Sequence, residues 1–418
     1  MRARVFLPWR SSFKPNDKET RKAACVEFAG EEYLADQLFV GIDVGTTAVK
    51  AAAFTSAGQQ VAVARQEVAV LRPFDGWSEM PMEDVWATAK ACLLDVIAQL
   101  DPLVIQSIGV CGQGDGLWML DSDHQPVRDA ILWNDARASG YVQDWAADGT
   151  SDKISKYCRT AIWPGSSGAA LRWVYDHEPE VFEKVAHILC AKDWIVWKLT
   201  GTISTDFSDA SIPFMDLEMG AYAPQVFDAL GVPDLIDRLP KPARACEMAG
   251  LLTAKLGCPS VPVARGSSDV CAMMTGLGIS TPGDMCLILG TTAVLSYVTP
   301  PEPFSEPPLA ATLHHPFNNN WIRGLAPQSG ASAFDWFAAQ HPHSFGGEDA
   351  ATIAGKINSA AEKVPPGANG VLFLPFLTGE RAPFVAPEAA ASFHGMRADT
   401  TSADLARAVM EGTAFSLR

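Results

Sequence analysis

Two stretches of the sequence read Gly-Thr-Thr-Ala-Val: Gly45 to Val49 and Gly290 to Val294. A tight turn of this type lines up consecutive backbone N–H groups with two hydroxyls, Thr46 and Thr47 in one copy, Thr291 and Thr292 in the other. Such a nest binds phosphate oxygens. One copy alone reads more readily as an ordinary hairpin turn. The pair favours phosphate binding, with two nests facing the phosphates of one nucleotide. Asp43 stands two residues before Gly45, where the second copy has Ile288. A carboxylate in only one half suits a single Mg2+ held by that carboxylate, phosphates and waters. Asp269 ends the segment Arg265-Gly-Ser-Ser-Asp269, between apolar Val261–Val263 and the small-residue run Ala272–Gly278. On spacing alone, a helix N-cap is the leading reading of Asp269. The other is a placed base that takes the proton of a substrate hydroxyl during phosphoryl transfer. Two polar clusters follow apolar strands: Gln113-Gly-Asp115-Gly116 and Trp133-Asn-Asp135-Ala-Arg137. Amides, carboxylates and an arginine suit a polyhydroxylated ligand, and tryptophan offers a flat face to C–H groups. Ordinary turn chemistry accounts for the same residues equally well.

These side chains need strand ends and turns to hold them. Leu38 to Val44 reads as a buried strand, Ala48 to Phe54 as the next, and Gln60 to Val70 as a third: a meander with Gly/Thr turns. Pro81 to Leu100 has helical spacing of Val85, Leu93, Leu94, Ile97 and Leu100. Val104 to Cys111 is a further apolar strand, and Ala170 to His177 reads as helix. Each Gly-Thr-Thr copy follows an apolar strand and leads into another. That repeat predicts two related domains, with the break near Gly278–Gly283.

The chain has 418 residues, enough for two or three domains. Lys and Arg number 32 against 48 Asp and Glu, a net charge of −16. That balance argues against a nucleic-acid or anionic-membrane binder, which needs clustered positive charge. Anionic ligands stay open, because backbone N–H groups bind phosphate without net charge. The nine cysteines include no Cys-x-x-Cys pair, so structural zinc and a disulfide framework are disfavoured and a reducing, cytoplasmic setting is expected. No apolar run predicts a membrane span. Residues 1–37 are expected to form a loose terminal extension.

Read together, the motifs resemble the FGGY carbohydrate kinases. Gly41-Ile-Asp-Val-Gly-Thr-Thr47 with Lys50 is similar to the family's first phosphate loop, and Gly76-Trp77-x-Glu79 to its early Gly-Trp-x-Glu. Ile131-Leu-Trp-Asn-Asp135 with Arg137 resembles a xylulokinase segment. Lys192-Asp-Trp194, Leu199-Thr-Gly201 and Thr205-Asp206 through Ser211 resemble the central signature. Gly266-x-x-Asp269 matches the catalytic-base motif, Gly290-Thr-Thr292 the second phosphate loop, and Gly330-Ala-Ser332 a stretch near the nucleotide. Leu374 to Pro383 and Phe393 to Gly412 match the C-terminal signature.

The resemblance implies an α/β, actin/hexokinase/Hsp70-like fold of two ribonuclease-H-like domains: a sugar-binding domain over 38–278 and a partial nucleotide-binding domain over 279–418. It implies ATP and Mg2+. Asp269 becomes the base and Asp43 the metal-side carboxylate. Gly45, Thr46, Thr47, Lys50, Gly290, Thr291, Thr292 and Gly330 become nucleotide contacts. Gln113, Asp115, Trp133, Asp135, Arg137 and Trp163 become sugar contacts. Gln-Gly-Asp-Gly at 113–116 looks more like the erythritol and L-xylulose (3-keto-gulonate) kinase branches than like D-xylulose or glycerol kinases. The expected activity is phosphorylation of a primary hydroxyl on a C4–C5 polyol or ketopentose, with no nucleic-acid or membrane partner and a homodimer as one expected assembly. Family members run to about 500 residues, so the second domain is expected to lack its closing elements. The alternative expectation is an impaired kinase that only binds sugar.

Overall fold

A computed structural model describes residues 3–6, 37–233, 235–289, 293–302, 311–345, 350–380, 386 and 388–417. The meander forms as the sequence predicts. Leu38–Val44 pairs antiparallel with Ala48–Thr55, which pairs antiparallel with Gln60–Glu67. Alternating burial along Leu38–Val44 places Val40, Ile42 and Val44 in the core. The next strand, Ile105–Gly112, lies parallel to Leu38–Val44 on its other edge. Pro262–Ala264 and Ser267–Ser268 both run parallel to Ile105–Gly112, and Met248–Leu251 closes that side.

A helix, Met82–Ile97, connects the third strand of the meander to Ile105–Gly112. It buries Val85, Leu93 and Val96 against the sheet. A parallel connection needs such a crossover element. The helix Ala191–Thr200 packs on the same core through Trp194, Ile195 and Leu199, and the Trp194 indole N–H donates to the Met82 carbonyl at 2.8 Å. The helix expected at 170–177 runs over Ser167–His177.

A second sheet begins at Met285. Met285–Leu289 and Ala293–Thr299 form an antiparallel hairpin, followed in the sheet by Trp321–Leu325 and Ala311–His314. This hairpin repeats the strand–turn–strand context of Gly45–Thr47, as the sequence echo predicts. The second copy's own turn, Gly290, Thr291 and Thr292, lies outside the described residues. Further along the chain, Phe337, Phe373 and Val409 form part of a separate core. The two halves touch through hydrogen bonds from backbone N–H groups to side-chain hydroxyls. The Thr312 N–H donates to Thr160 Oγ1 at 2.9 Å, and the His314 N–H to Ser211 Oγ at 2.9 Å.

The expectation of a loose extension over 1–37 needs correction at its start. Ala3–Phe6 adds to the edge of the second sheet, parallel to Met285–Leu289. An open strand edge presents unpaired N–H and C=O groups, which an extended segment satisfies. Residues 7–36 lie outside the described residues.

One glycine fixes how closely the first sheet is built. Gly266 has φ +77°, and a Cβ there would stand 1.8 Å from the Val110 carbonyl oxygen. Only glycine lets the chain turn flush against Ile105–Gly112 before Asp269. We predict that Gly266→Ala costs about 2–4 kcal/mol, from a left-handed backbone plus overpacking. Urea unfolding with a shifted midpoint and an unchanged slope checks it.

Candidate active site

Three parallel strand ends meet at one edge of the first sheet. Asp43 is in register with Cys111, Val44 with Gly112, Ser267 with Cys111 and Ser268 with Gly112. The chain leaves these ends at Gly45, Gln113 and Asp269. Their side chains therefore gather at the carboxyl ends of the strands, where open α/β sheets bind ligands.

The Gly45–Thr47 turn is tight: the Gly45 N–H donates to the Ala48 carbonyl at 3.1 Å. Asp43 and Lys50 face each other across the hairpin, Nζ to Oδ2 at 3.0 Å. Both side chains are partly exposed, so this pair adds little to stability and stays open to a ligand. Thr46 Oγ1 donates to Gln113 Oε1 at 2.9 Å and accepts from the Trp133 indole N–H at 3.0 Å. The Trp163 indole N–H donates to the Trp133 carbonyl at 3.0 Å. The structure thus links Thr46, on the Gly45–Thr47 turn, to Gln113, Trp133 and Trp163 in one hydrogen-bonded chain. Trp133 remains 38% exposed, with an open ring face.

Asp115 sits in the left-handed region at φ +59°, followed by Gly116 at φ +72°. The Gly116 N–H donates to the Gly165 carbonyl at 3.2 Å, and the Gly116 carbonyl accepts from Ser167 Oγ at 2.6 Å. The loop is anchored on both sides, so Asp115 is presented by a fixed backbone. Burial, reinforced by the Asp269 charge, raises the Asp115 carboxyl to about 8.

Asp269 opens the helix Asp269–Gly276, with Ser268 at the N-cap position. Ser268 makes no capping bond through its side chain. Asp269 Oδ1 accepts from the next N–H, Val270, at 2.7 Å. Asp269 is therefore not the N-cap that spacing alone favours; its carboxylate belongs to the strand-end cluster. Burial raises it to about 6. The Val270 hydrogen bond and Lys50 oppose that rise, and the Asp43 charge adds to it.

Asp135 and Arg137 occupy a different place from the one the sequence suggests. The Asp135 side chain is fully buried, and its oxygens accept from the Ser78 N–H, the Arg137 N–H and the Arg137 guanidinium. Arg137 also reaches Glu79 Oε1 at 2.7 Å and stacks 3.8 Å over the Trp77 ring. Its side chain is 1% exposed. These buried contacts hold the loop that carries Trp133. Gly330 is buried at the start of Ala331–Gln340 in the second domain, apart from the bonds that join Thr46 to Gln113.

Sequence reasoning gave no role to a buried cluster beneath these strand ends. Lys192 Nζ lies 2.6 Å from Asp193 Oδ1, 3.0 Å from Asp206 Oδ1 and 3.2 Å from Asp209 Oδ2, all four side chains being buried. A Lys-Asp pair opening an otherwise apolar helix was the available signal.

Comparison with known proteins agrees with this architecture. The model for the N-terminal domain of the FGGY family of carbohydrate kinases matches residues 38–277, and the C-terminal domain model matches 285–418. The chain belongs to the FGGY family of carbohydrate kinases. It is 29% identical over 388 residues to the L-xylulose/3-keto-L-gulonate kinase of Escherichia coli (strain K12), covering 91% of this chain and 76% of that protein. It is also 29% identical over 392 residues to the xylulose kinase of the same organism, covering 91% and 77%. Among solved structures, the xylulose kinase of Rhodospirillum rubrum superposes with a TM-score of 0.83 at 25% identity, over 91% of this chain and 77% of that one. The protein is a kinase that phosphorylates a small sugar with ATP. Among the described residues, no helix is long and apolar enough to cross a membrane.

The raised carboxyl at Asp115 has a consequence for stability. The folded state disfavours its charged form, so between the ordinary aspartate value near 4 and about 8 the folded chain binds more protons than the unfolded one. Stability contributed by this group falls as pH rises through that window. Asp115→Asn removes the cost, so its melting temperature should equal or exceed the parent's at pH 8, with the gap closing toward pH 4. Thermal unfolding at both pH values checks this.

Proposed function

We propose that this chain phosphorylates the primary hydroxyl of a neutral ketopentose of the L-xylulose type, with Asp269 as general base. The observation that carries the reading is the shared register of the three strand ends from which Asp43, Gln113 and Asp269 are presented. It supports one site in which a sugar on Gln113 and Asp115 lies beside a base and beside a phosphate turn.

Asp269 accepts the proton of the attacking hydroxyl. A base value near 6 leaves it ionised at neutral pH yet basic enough to take that proton as the oxygen–phosphorus bond forms. Asp115, protonated at neutral pH, donates a hydrogen bond to a sugar hydroxyl. Protonation also spares the cleft a like charge beside Asp269. Trp133 offers its exposed face to the C–H side of the sugar. Thr47, on the tight turn, presents its hydroxyl to phosphate oxygens with Lys50 beside it, and Gly45, its N–H held by the Ala48 carbonyl, lets the turn close. Gly290, Thr291, Thr292 and Gly330 are proposed as contacts from the second domain. Asp135 and Arg137 act by holding the Trp133 loop.

Asp43 fits a magnesium ion, being a partly exposed hard-oxygen donor at the phosphate turn with Lys50 its paired cation. Asp43 would hold the ion, which supplies charge neutralisation on the phosphates when bound. Positioning and electrostatics carry phosphoryl transfer, since little covalent chemistry falls to the protein.

Neutral sugar is favoured over a carboxylated one by the charges present. Asp43 and Asp269 supply negative charge at the strand ends, Asp115 is protonated, Lys50 is paired with Asp43, and the Arg137 side chain is buried, so neither cation is left free for a sugar carboxylate. The absence of paired Cys-x-x-Cys spacing and the free state of the eight described cysteines support a cytoplasmic setting.

ADP release with Mg-ATP and a panel of L-xylulose, D-xylulose, erythritol and 3-keto-L-gulonate tests the reading. Highest kcat/KM on a neutral ketopentose is expected. Preference for 3-keto-L-gulonate would overturn the substrate class. Asp269→Asn should lower kcat by about 10²–10⁴-fold. The acid limb of kcat/KM should have its midpoint near the Asp269 value of about 6, well above that of an ordinary aspartate.

A further inference from the structure

The buried cluster around Lys192 is joined by a line of hydrogen bonds to the amide of Ser268, the residue before Asp269. Lys192 Nζ faces Asp206 Oδ1 at 3.0 Å. Asp206 Oδ2 accepts from the Ser208 N–H at 2.9 Å and from the Ser208 hydroxyl at 2.7 Å. Ser208 Oγ in turn accepts from the Ser268 N–H at 2.9 Å. Ser268 is the residue before Asp269. Both Asp206 oxygens act as acceptors, so the hydroxyl proton of Ser208 is committed to Asp206. Its lone pair is thereby aimed at the Ser268 amide.

The same cluster touches the loop that carries the sugar contacts. A Cβ on Gly266 would stand 3.4 Å from Lys192 Cδ, and a Cβ on Gly112 would stand 3.4 Å from the Lys192 backbone nitrogen. A Cβ on Gly114 would stand 3.5 Å from Asp209 Oδ1. One buried lysine and its acids therefore underlie residues 266–268 and 112–114 at once.

Stability alone gives a weak reason for this arrangement. Burial pulls the Lys192 ammonium down, but Asp193, Asp206 and Asp209 together hold it well above its ordinary value. Burial holds Asp193 and Asp209 up against the pull of Lys192. Burying several charges on one counter-ion costs desolvation that an apolar core would avoid. A pinned geometry at the strand ends is what the cluster supplies. The three groups Cys190, Asp193 and Asp209 have metal-ligand spacing, but the Lys192 ammonium already sits on Asp193 and Asp209.

We propose that Lys192, Asp206 and Ser208 form a positioning unit that fixes the Ser268–Asp269 backbone, and with it the base, relative to the sugar loop at 113–116. This rests on the reading of Asp269 as base. Ser208→Ala removes the acceptor for the Ser268 amide without adding a charge. Loss of the anchor should lower kcat by about tenfold or more, since small misplacements of a reacting group are costly, with sugar KM within about threefold. The control is Ser204→Ala, which removes a buried hydroxyl that has no hydrogen-bond partner, and which should leave kcat unchanged.

Melting temperature and circular dichroism report the folded fraction of each variant, and Asp269→Asn is assayed beside them. A Ser208→Ala enzyme with parental kcat overturns the positioning role while Asp269→Asn is inactive. An active Asp269→Asn enzyme overturns the base reading instead. Loss of kcat only in proportion to lost folded protein, or an equal loss in Ser204→Ala, also overturns the positioning role. A measurement on the parent chain covers the case of a variant that does not fold. The peptide spanning Gly266–Val270 should exchange its Ser268 amide slowly, and free exchange there would overturn the hydrogen-bond line.

Discussion

The register of three parallel strand ends is the constraint on which the site depends. Asp43 faces Cys111 and Ser267 faces Cys111 from the other side, so the chain leaves all three strands at one level. A slip of one residue in any strand would turn its side chains to the opposite face. Asp269 would then leave the cleft, or Asp43 would enter the core. Gly266, flush against the Val110 carbonyl, and Gly116, whose Cβ would meet the Ile131 carbonyl at 2.5 Å, let the loops close on that register.

The site balances two demands that oppose each other. Carboxylates must be near one another to bind and activate a substrate, yet burial and mutual repulsion push their proton affinities up. Asp115 and Asp269 show both effects, at about 8 and about 6. Their separation gives them different protonation states at neutral pH, which suits the donor and base roles proposed for them. Beneath them the Lys192 cluster repeats the theme in a fully buried setting, where it acts on backbone rather than on substrate.

Much of this was legible in the sequence. The meander, the Met82–Ile97 helix and the paired Gly-Thr-Thr context follow from period, turn residues and repetition. The local signals there agree with the tertiary structure. Asp269 was not settled by its neighbours. Ser-Ser-Asp before a helix is cap chemistry, and it takes the sheet register to bring residues 267–268 level with the strand that carries Asp43, whose charge Asp269 feels. Asp135 and Arg137 were read as sugar contacts because a strand-end acid and arginine suit hydroxyls. Their burial and the approach of Ser78, Glu79 and Trp77 are long-range facts that spacing does not carry. The same holds for Lys192: its partners at 206 and 209 come from a separate segment, and nothing local to 192 marks their approach.

A crystal structure with L-xylulose and a magnesium complex of a non-hydrolysable ATP analogue tests the central claim most directly. The account predicts the attacking primary hydroxyl at about 2.6–3.2 Å from an Asp269 oxygen, with the other sugar hydroxyls on Gln113 and Asp115. A sugar bound away from Gln113 and Asp115, or one whose primary hydroxyl faces a different base, would contradict it.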